Sequence, residues 1–249
     1  MSDTTIKLIW DFKTSRIPTK PAFFWGVLCL TICSACTLET SLEAYFPIED
    51  GKVWVYEAEL TIDNKKTPFR EVIYVDNMAS KPETADAALV TLSGKRELYK
   101  YKEDGIYVIS DFDNNLKVSG SKFKEQLFLP LNLKTGESWL KETNLVLLRA
   151  TGPWETPLAI KGTITTKYRI ISTKETVKIG KKEFKDCLVI EGIGNDLLYG
   201  GDYLDYLEVT IEEKKWFAPR VGLIKTIRSE RAQNKHTKPV QLKTILKDT

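Results

Sequence analysis

The carboxylates whose spacing suits chemistry best lie between residues 202 and 213. Glu208 and Glu212 are four residues apart in a stretch with strand-like alternation, so they share one face while Glu213 points to the other. Paired carboxylates could hydrolyse a glycosidic bond or bind Ca²⁺, and Asp202 and Asp205 precede them. Because apolar residues alternate with these charges and two lysines follow, we expect a solvated face without a catalytic or metal-binding role.

Other residue types that usually carry catalysis are scarce in this chain. The single histidine, His236, lies in a lysine-rich stretch near the C-terminus, which argues against catalytic triads and histidine-based metal sites. Of the four cysteines, only Cys187 lies beyond residue 36, and its strand-like surroundings predict a buried structural thiol. Gly192 and Gly194 are not followed by the Gly-Lys-Ser/Thr of a phosphate-binding loop. The sequence therefore predicts no enzyme, no cofactor and no metal site.

Residues 1–35 have the composition of an export signal. The first 20 residues carry four basic and two acidic side chains, and residues 22–32 form an apolar run of 11 residues. That run is well short of the roughly 20 residues that a membrane-spanning helix needs. Removal of this segment would lower the formal net charge from +3 to +1. Such a near-neutral chain gives no reason to expect a nucleic-acid partner.

The end of this segment resembles the lipobox of bacterial lipoproteins, in which Leu and two small residues precede the cysteine that is lipidated. Residues 33–36 read Cys-Ser-Ala-Cys, with Cys33 where Leu is usual. The resemblance implies that Cys36 becomes the first mature residue and carries a diacylglyceryl group and further acyl chains such as palmitate. A frame that ends at Cys33 has Leu30 in place but a bulky Ile32 before the cysteine. A plain secretory signal and an uncleaved N-terminal anchor remain the alternatives.

The same resemblance implies a location in the bacterial cell envelope, with membrane lipid as a partner through Cys36. In double-membrane bacteria, an Asp after the lipidated cysteine usually retains a lipoprotein at the inner membrane. Thr37 stands there instead, which implies sorting to the outer membrane if the host has one. We expect residues 36–45 to form a short tether and residues 46–249 to form a periplasmic or surface domain.

Short segments of alternating hydrophobicity predict strands from residue 53 onwards. Val53–Ile62 and Phe69–Val75 flank the polar turn at residues 63–66 and predict a hairpin. Residues 126–133 are apolar but contain Pro130, which favours a buried crossing over a central strand. Further strands are expected at residues 88–92, 97–101, 106–112, 139–143, 145–150, 160–172, 176–179, 184–191, 203–217, 223–227 and 240–246, and a mobile loop at residues 76–86.

This pattern predicts an all-β fold with a broad, curved antiparallel sheet, in the form of a half-barrel or roll. The chain also contains a weak internal repeat, since residues 46–54 and 129–139 both run from an apolar residue and Pro to Gly-x-x-Trp. Two similar β-subdomains with a boundary near residues 120–130 are therefore an alternative to a single continuous sheet.

Three further stretches resemble a group of uncharacterised exported bacterial proteins, many of which are lipoproteins. The first is Tyr45-Phe46-Pro47 with Gly51-x-x-Trp54-x-Tyr56, and the others are residues 180–187 and 216–225. The resemblance implies a broad, curved antiparallel sheet and brings no catalytic role. Residues 219–222 (Pro-Arg-Val-Gly) are expected to form a turn, with Trp216 and Phe217 packed at its corner.

These observations lead to one function and one alternative. We expect a non-enzymatic, membrane-anchored lipoprotein that serves as an assembly or interaction component of the cell envelope, with protein partners there. The alternative is a periplasmic protein that binds a lipid or another hydrophobic ligand, because a curved sheet can enclose apolar cargo.

Overall fold

The computed structural model describes residues 41–76, 85–110, 124–153 and 156–249. The predicted signal segment, Cys36 and most of the loop expected at residues 76–86 lie outside these residues. One short helix, α1 (Leu42–Tyr45), precedes the strands in the described part of the chain. The strands are β1 (Val53–Ile62), β2 (Lys65–Asp76), β3 (Ala87–Thr91), β4 (Arg96–Lys102), β5 (Gly105–Ser110), β6 (Lys124–Pro130), β7 (Ser138–Asn144), β8 (Arg149–Ala150), β9 (Leu158–Ala159), β10 (Thr163–Ile179), β11 (Lys182–Tyr199), β12 (Tyr206–Ala218), β13 (Gly222–Ala232) and β14 (Val240–Asp248).

Twelve strands form one antiparallel sheet in the order β6-β5-β4-β3-β2-β1-β14-β13-β12-β11-β10-β7, and β8 pairs with β9 alone. The edge strands β6 and β7 meet through side chains. The backbone N–H of Glu142 on β7 donates to Oε1 of Gln126 on β6 at 2.6 Å, and Lys124 pairs with the Glu142 carboxylate. The sheet is therefore rolled and nearly closed, which confirms the predicted curved all-β fold. Because this one sheet contains strands from both halves of the chain, the described residues do not divide into two β-subdomains.

Turn residues in the left-handed region explain two of the corners. Asp63 and Asn64 have φ values of 48° and 68°, as a two-residue hairpin turn between β1 and β2 requires. Arg220 (φ 64°) and Gly222 (φ 95°) lie in the predicted turn between β12 and β13. The predicted anchors of that corner, Trp216 and Phe217, are both buried.

Two strand predictions need correction. Residues 126–133 do not form a crossing, because Lys124–Pro130 is strand β6, which pairs with β5. Pro130 is tolerated there because it is the last residue of an edge strand. The strand expected at residues 145–150 is reduced to β8, because the backbone N–H groups of residues 146–148 donate to a buried carboxylate instead of a neighbouring strand.

Alternate side chains point into the roll and away from it. On β12, Leu207, Ile211 and Phe217 are buried, whereas Tyr206 and Glu208 are exposed. The registers of the antiparallel pairs extend this alternation across the sheet, so the side chains of each strand can be assigned to the interior face or to the outer face.

The three stretches that resemble exported proteins meet at one end of the sheet, which we call the α1 end. The Tyr45 hydroxyl donates to the Asp186 carbonyl at 2.8 Å, and Trp54 Nε1 donates to the Val221 carbonyl at 2.7 Å. The backbone N–H of Arg220 also donates to a carbonyl in α1. These stretches are therefore corner signatures that tie α1, β1, β11 and the β12–β13 turn together.

Candidate functional site in the interior of the roll

The middle of the interior face is charged, with apolar zones on either side of it. Toward the α1 end lie mostly aromatic side chains, and toward the other end lie Leu148, Ile164, Leu207 and their neighbours. Strand registers place Glu213 opposite Arg228 and Lys215 opposite Thr226, so four polar side chains enter the same zone from β12 and β13. Burial of charge is costly unless the charges are paired, so the partners of these four groups decide what the zone can do.

The Glu213 carboxylate is the centre of this charged zone. It lies 2.9 Å from the Lys215 ammonium and 3.7 Å from the Arg228 guanidinium, and the Tyr168 hydroxyl donates to it at 2.9 Å. Burial alone would raise the pKa of Glu213, but the charges of Lys215, Arg228 and Lys141 outweigh burial and lower the pKa to about 2. Glu213 is therefore ionised across the physiological pH range.

Glu230 links the charged zone to the loop that follows β7. Its side chain is fully buried, and its carboxylate accepts hydrogen bonds from the backbone N–H groups of Val146, Leu147 and Leu148 at 2.9–3.1 Å. Arg228 Nη2 lies 2.7 Å from the same carboxylate. One buried carboxylate thus holds the loop and the guanidinium together, which accounts for the absence of a longer strand at residues 145–150.

A second ion pair lies on the solvent-accessible side of the interior face. Lys95 Nζ is 2.8 Å from the Glu97 carboxylate, and the Tyr99 hydroxyl donates to Glu97 at 2.8 Å. Burial would raise the pKa of Glu97, but the charge and hydrogen bond of Lys95 and the hydrogen bond of Tyr99 lower it to about 2. The Glu97 side chain still keeps 42% of its surface accessible. Solvent therefore reaches this side of the interior even though protein surrounds the carboxylate.

Lys141 is a charged interior residue that forms no ion pair with the network around Glu213. Its ammonium lies 5.0 Å from the centre of the Tyr168 ring and 5.8 Å from that of Phe128. Burial, together with the nearby charge of Lys215, lowers the pKa of Lys141 to about 8. These side chains and Trp139 border a small cavity of about 10 Å³.

The glycines of β11 make room for these interior side chains. A Cβ atom at Gly192 would lie 2.5 Å from the Tyr168 ring, and one at Gly194 would lie 2.7 Å from Thr166 Oγ1. The Gly-x-Gly stretch therefore serves close packing inside the roll.

The carboxylates singled out in the sequence are divided between the two faces. Glu208 and Glu212 lie together on the outer face, where they pair with Asn195 and Arg231. Glu213 points to the other face, as the strand alternation predicts, but the solvated position expected for it is wrong, because the roll encloses its side chain. Asp202 and Asp205 lie in the β11–β12 turn, away from the interior charges. In the described part of the chain, no group of three or more histidine, cysteine, aspartate or glutamate side chains is arranged to hold a metal ion.

The remaining single residues are placed as follows. Cys187 is fully buried, and burial raises the pKa of its thiol to about 11, as expected for a structural cysteine. His236 lies in a partly buried loop, where its ring packs against Tyr203 at 4.7 Å between ring centres. Cys36 lies outside the described residues. No helix among the described residues has the length and hydrophobicity needed to cross a bilayer.

Sequence reasoning missed most of the interior polar residues, namely Lys141, Tyr168, Lys215, Arg228 and Glu230. The sequence does indicate two interior charges. Glu213 and Lys215 alternate in step with the buried Ile211 and Phe217 on one predicted strand, so they point to the same face. Charges that alternate in phase with apolar residues indicate an interior position, whereas charges out of phase indicate solvent.

Comparison with known proteins gives a limited result. No model of a known protein family matches the chain, and no curated protein matches it. A crystal structure described as that of an exported protein with a YmcC-like fold, from Bacteroides fragilis, is 14% identical and covers 82% of this chain and 99% of its own, with a TM-score of 0.38. A crystal structure described as that of a lipoprotein from Parabacteroides distasonis is 13% identical and covers 82% and 98%, with a TM-score of 0.37. At such identities and TM-scores, these likenesses carry no inference about the function of this chain.

Proposed function

We propose that the chain is a non-enzymatic lipoprotein that is anchored in the bacterial cell envelope through Cys36 and contacts protein partners through the outer face of its rolled sheet. The observation that carries this proposal is the small size of the cavity in the charged zone of the roll. The cavity beside Lys141 measures about 10 Å³, whereas pockets for organic ligands usually measure about 300–1,000 Å³. The proposed contacts with partners therefore lie on the outer face.

The outer face carries an apolar stripe on β7, β11 and β12. Five large hydrophobic side chains on this face are 52–66% exposed, namely Leu140, Ile193, Leu197, Tyr199 and Tyr206. We call this set the outer stripe. The Tyr199 and Tyr206 rings lie 5.4 Å apart. Clusters of exposed apolar side chains of this kind mark interaction surfaces.

The placement of the outer stripe favours a partner beyond the anchoring membrane. Five residues lie between Cys36 and Leu42, so in the proposal the chain holds α1 within about 20 Å of the lipidated cysteine. Strand β11 starts at the α1 end and reaches Tyr199 thirteen residues after Asp186, a distance of about 40 Å for extended backbone. The outermost part of the stripe would then face away from the bilayer.

Part of the predicted tether belongs to the folded domain. Leu42 and Tyr45 of α1 are buried in the aromatic zone at the α1 end. In the proposal, the tether is therefore shorter than residues 36–45. We propose outer-membrane sorting for a host with two membranes, because Thr37 stands where an inner-membrane lipoprotein usually has Asp.

The alternative function, a carrier of lipid or another apolar ligand, gains no support from the described residues. The interior of the roll is charged at its centre. A larger cavity of about 420 Å³ lies against the outer face of β1, β2 and β14, and charged residues such as Glu57, Arg70 and Lys243 line it. Neither region resembles the apolar pocket that an acyl chain requires.

The anchor is tested by the intact mass of the membrane-extracted protein. We expect a mature chain that starts at Cys36 with a diacylglyceryl adduct, and we expect Cys36→Ala to lose both the cleavage and the adduct. An unmodified mass for the natural chain would contradict the anchor.

The interaction surface is tested by crosslinking in intact cells. A photo-reactive residue at position 195, between Ile193 and Leu197 on the outer face, should give a discrete adduct with an envelope protein. We expect Leu197→Glu with Tyr206→Glu to abolish this adduct, whereas Leu131→Glu, at an equally exposed leucine outside the stripe, should leave it unchanged. An adduct that survives the double substitution would contradict the proposed surface.

A further inference from the structure

We propose that the cavity beside Lys141 binds one small anion of the halide class, held by the Trp139 indole N–H and the Lys141 ammonium. Both side chains border the cavity together with Phe128, Tyr168 and Lys215. A volume of about 10 Å³ admits a single small ion or atom and no organic molecule. This proposal does not depend on lipidation or on the outer stripe.

The first supporting observation is a buried donor without an acceptor. Trp139 is only 9% exposed, and its Nε1 atom has no hydrogen-bond partner among the described residues. An indole N–H can only donate. Because an unpartnered buried donor destabilises the folded state, this one calls for an acceptor in the adjoining cavity.

The second observation is a partly buried ammonium without a carboxylate partner. In the described part of the chain, no carboxylate lies within ion-pair distance of Lys141. The nearest interior carboxylate network is already occupied, since Glu213 pairs with Lys215 and Arg228 and accepts from Tyr168. Lys141 therefore contributes a positive charge to the cavity that nothing in contact with it neutralises.

The charges that face Lys141 from the surrounding strands explain why an anion is favoured over a neutral occupant. Lys215 and Arg228 disfavour the charged form of Lys141, and Glu213 and Glu97 favour it. The effects of burial and of the two cations outweigh those of the two carboxylates, so the pKa of Lys141 is lowered to about 8. An anion in contact with the ammonium would reverse this balance, because it adds an opposite charge where the protein supplies none.

The hydrogen-bonding capacity of the cavity wall also favours an anion over water. Trp139 and Lys141 supply only donors, and the Tyr168 hydroxyl, which donates to Glu213, accepts from the Thr143 hydroxyl at 3.2 Å. A water molecule in this position would need acceptors for its own two hydrogens, and aromatic rings form most of the remaining wall. A halide needs donors only.

The test uses the full chain with Cys36→Ala, purified without halide in gluconate buffer at pH 7 and constant ionic strength, and titrated with bromide. Binding is followed by the ¹⁵N–¹H signal of the Trp139 indole, which Trp139→Phe identifies. We expect a saturable shift of this signal, and we expect Lys141→Met to weaken the apparent affinity at least tenfold. The matched control is Lys167→Met, because Lys167 lies exposed on the outer face of the neighbouring strand.

Crystals grown in bromide provide the direct readout. We expect an anomalous peak within hydrogen-bond distance of both Trp139 Nε1 and Lys141 Nζ. No saturable shift, an equal effect of Lys167→Met, or a cavity that holds water in the presence of bromide would each overturn the proposal. If Lys141→Met does not fold, Trp139→Phe tests the site independently, since it should remove most of the bromide-induced rise in melting temperature that the parent chain shows.

Discussion

Glu212 and Glu213 are neighbours on one strand, and the roll gives them opposite environments. The Glu213 side chain is 5% exposed and contacts Lys215, Arg228 and Tyr168. The Glu212 side chain is 47% exposed and forms a 2.7 Å pair with Arg231, which is itself 51% exposed. The same residue type thus belongs to a closed network on the interior face and to a solvated surface on the outer face.

The two environments imply different contributions of the two carboxylates to stability. An exposed ion pair contributes about 0–1 kcal/mol, since water and salt screen it. A buried charge that loses its partner costs about 3–5 kcal/mol. The interior network therefore contributes more to stability than the exposed ion pairs of the outer face.

Glu230 should give the largest effect on the interior side of this comparison. Glu230→Ala removes the acceptor for three backbone N–H groups and leaves Arg228 without its nearest carboxylate. We expect a loss of about 5 kcal/mol or more in the free energy of unfolding, measured by urea denaturation. If the variant does not fold, Glu230→Gln should still fold with a smaller loss. A loss below about 1 kcal/mol for Glu230→Ala would show that the network does not hold the loop.

Glu213→Gln should come next, with a cost that depends on pH. The pKa of Glu213 is lowered from 4.5 to about 2, so the stability that it contributes is complete above about pH 4.5 and is lost as the pH falls toward 2. We expect a loss of about 3–5 kcal/mol at pH 7, and the variant and the parent should converge in acid. The matched control is Glu212→Gln, which should cost less than about 1 kcal/mol at every pH.

The sequence predicted the direction of the side chains better than it predicted their contacts. The alternation on residues 203–217 separated Glu213 from Glu208 and Glu212, because side-chain direction in a strand follows from the backbone alone. Which face would be enclosed depended on the meeting of β6 and β7, and no local pattern encodes that contact. Tyr168 reaches Glu213 from β10, 45 residues earlier in the chain, so the network could not be predicted from any single segment.

The predicted strand at residues 145–150 failed for a related reason. Its apolar residues fit a strand, but the buried Glu230 carboxylate, more than eighty residues later, takes up the backbone N–H groups that a strand would have paired. Cys36 and the anchor stay predictions, because they lie outside the described residues.

Lys141→Met should shift stability in the direction opposite to that of the two carboxylate substitutions. The pKa of Lys141 is lowered from 10.5 to about 8, so between these values the unfolded chain binds a proton that the folded protein has released. The contribution of Lys141 to stability is therefore unfavourable below pH 8 and improves as the pH rises toward 10.5. In halide-free buffer at pH 7, we expect the variant to be more stable by roughly 1–3 kcal/mol. This gain should shrink above pH 8; a variant less stable than the parent at pH 7 would contradict the account of Lys141.

The smallest effect on stability is expected from substitutions in the outer stripe. They test directly whether the outer face differs from the interior face in its contribution to stability. Leu197→Ser with Tyr206→Ser changes two side chains that are each about 60% exposed. Surface substitutions of this kind usually change stability by no more than about 0.5 kcal/mol, because neither side chain fills the interior. Thermal unfolding of this variant should therefore match that of the parent, while crosslinking from position 195 in intact cells should lose its adduct. If the substitutions instead lowered the melting temperature as much as Glu213→Gln, the outer face would share the structural task of the interior, and the proposed division between the two faces would fail.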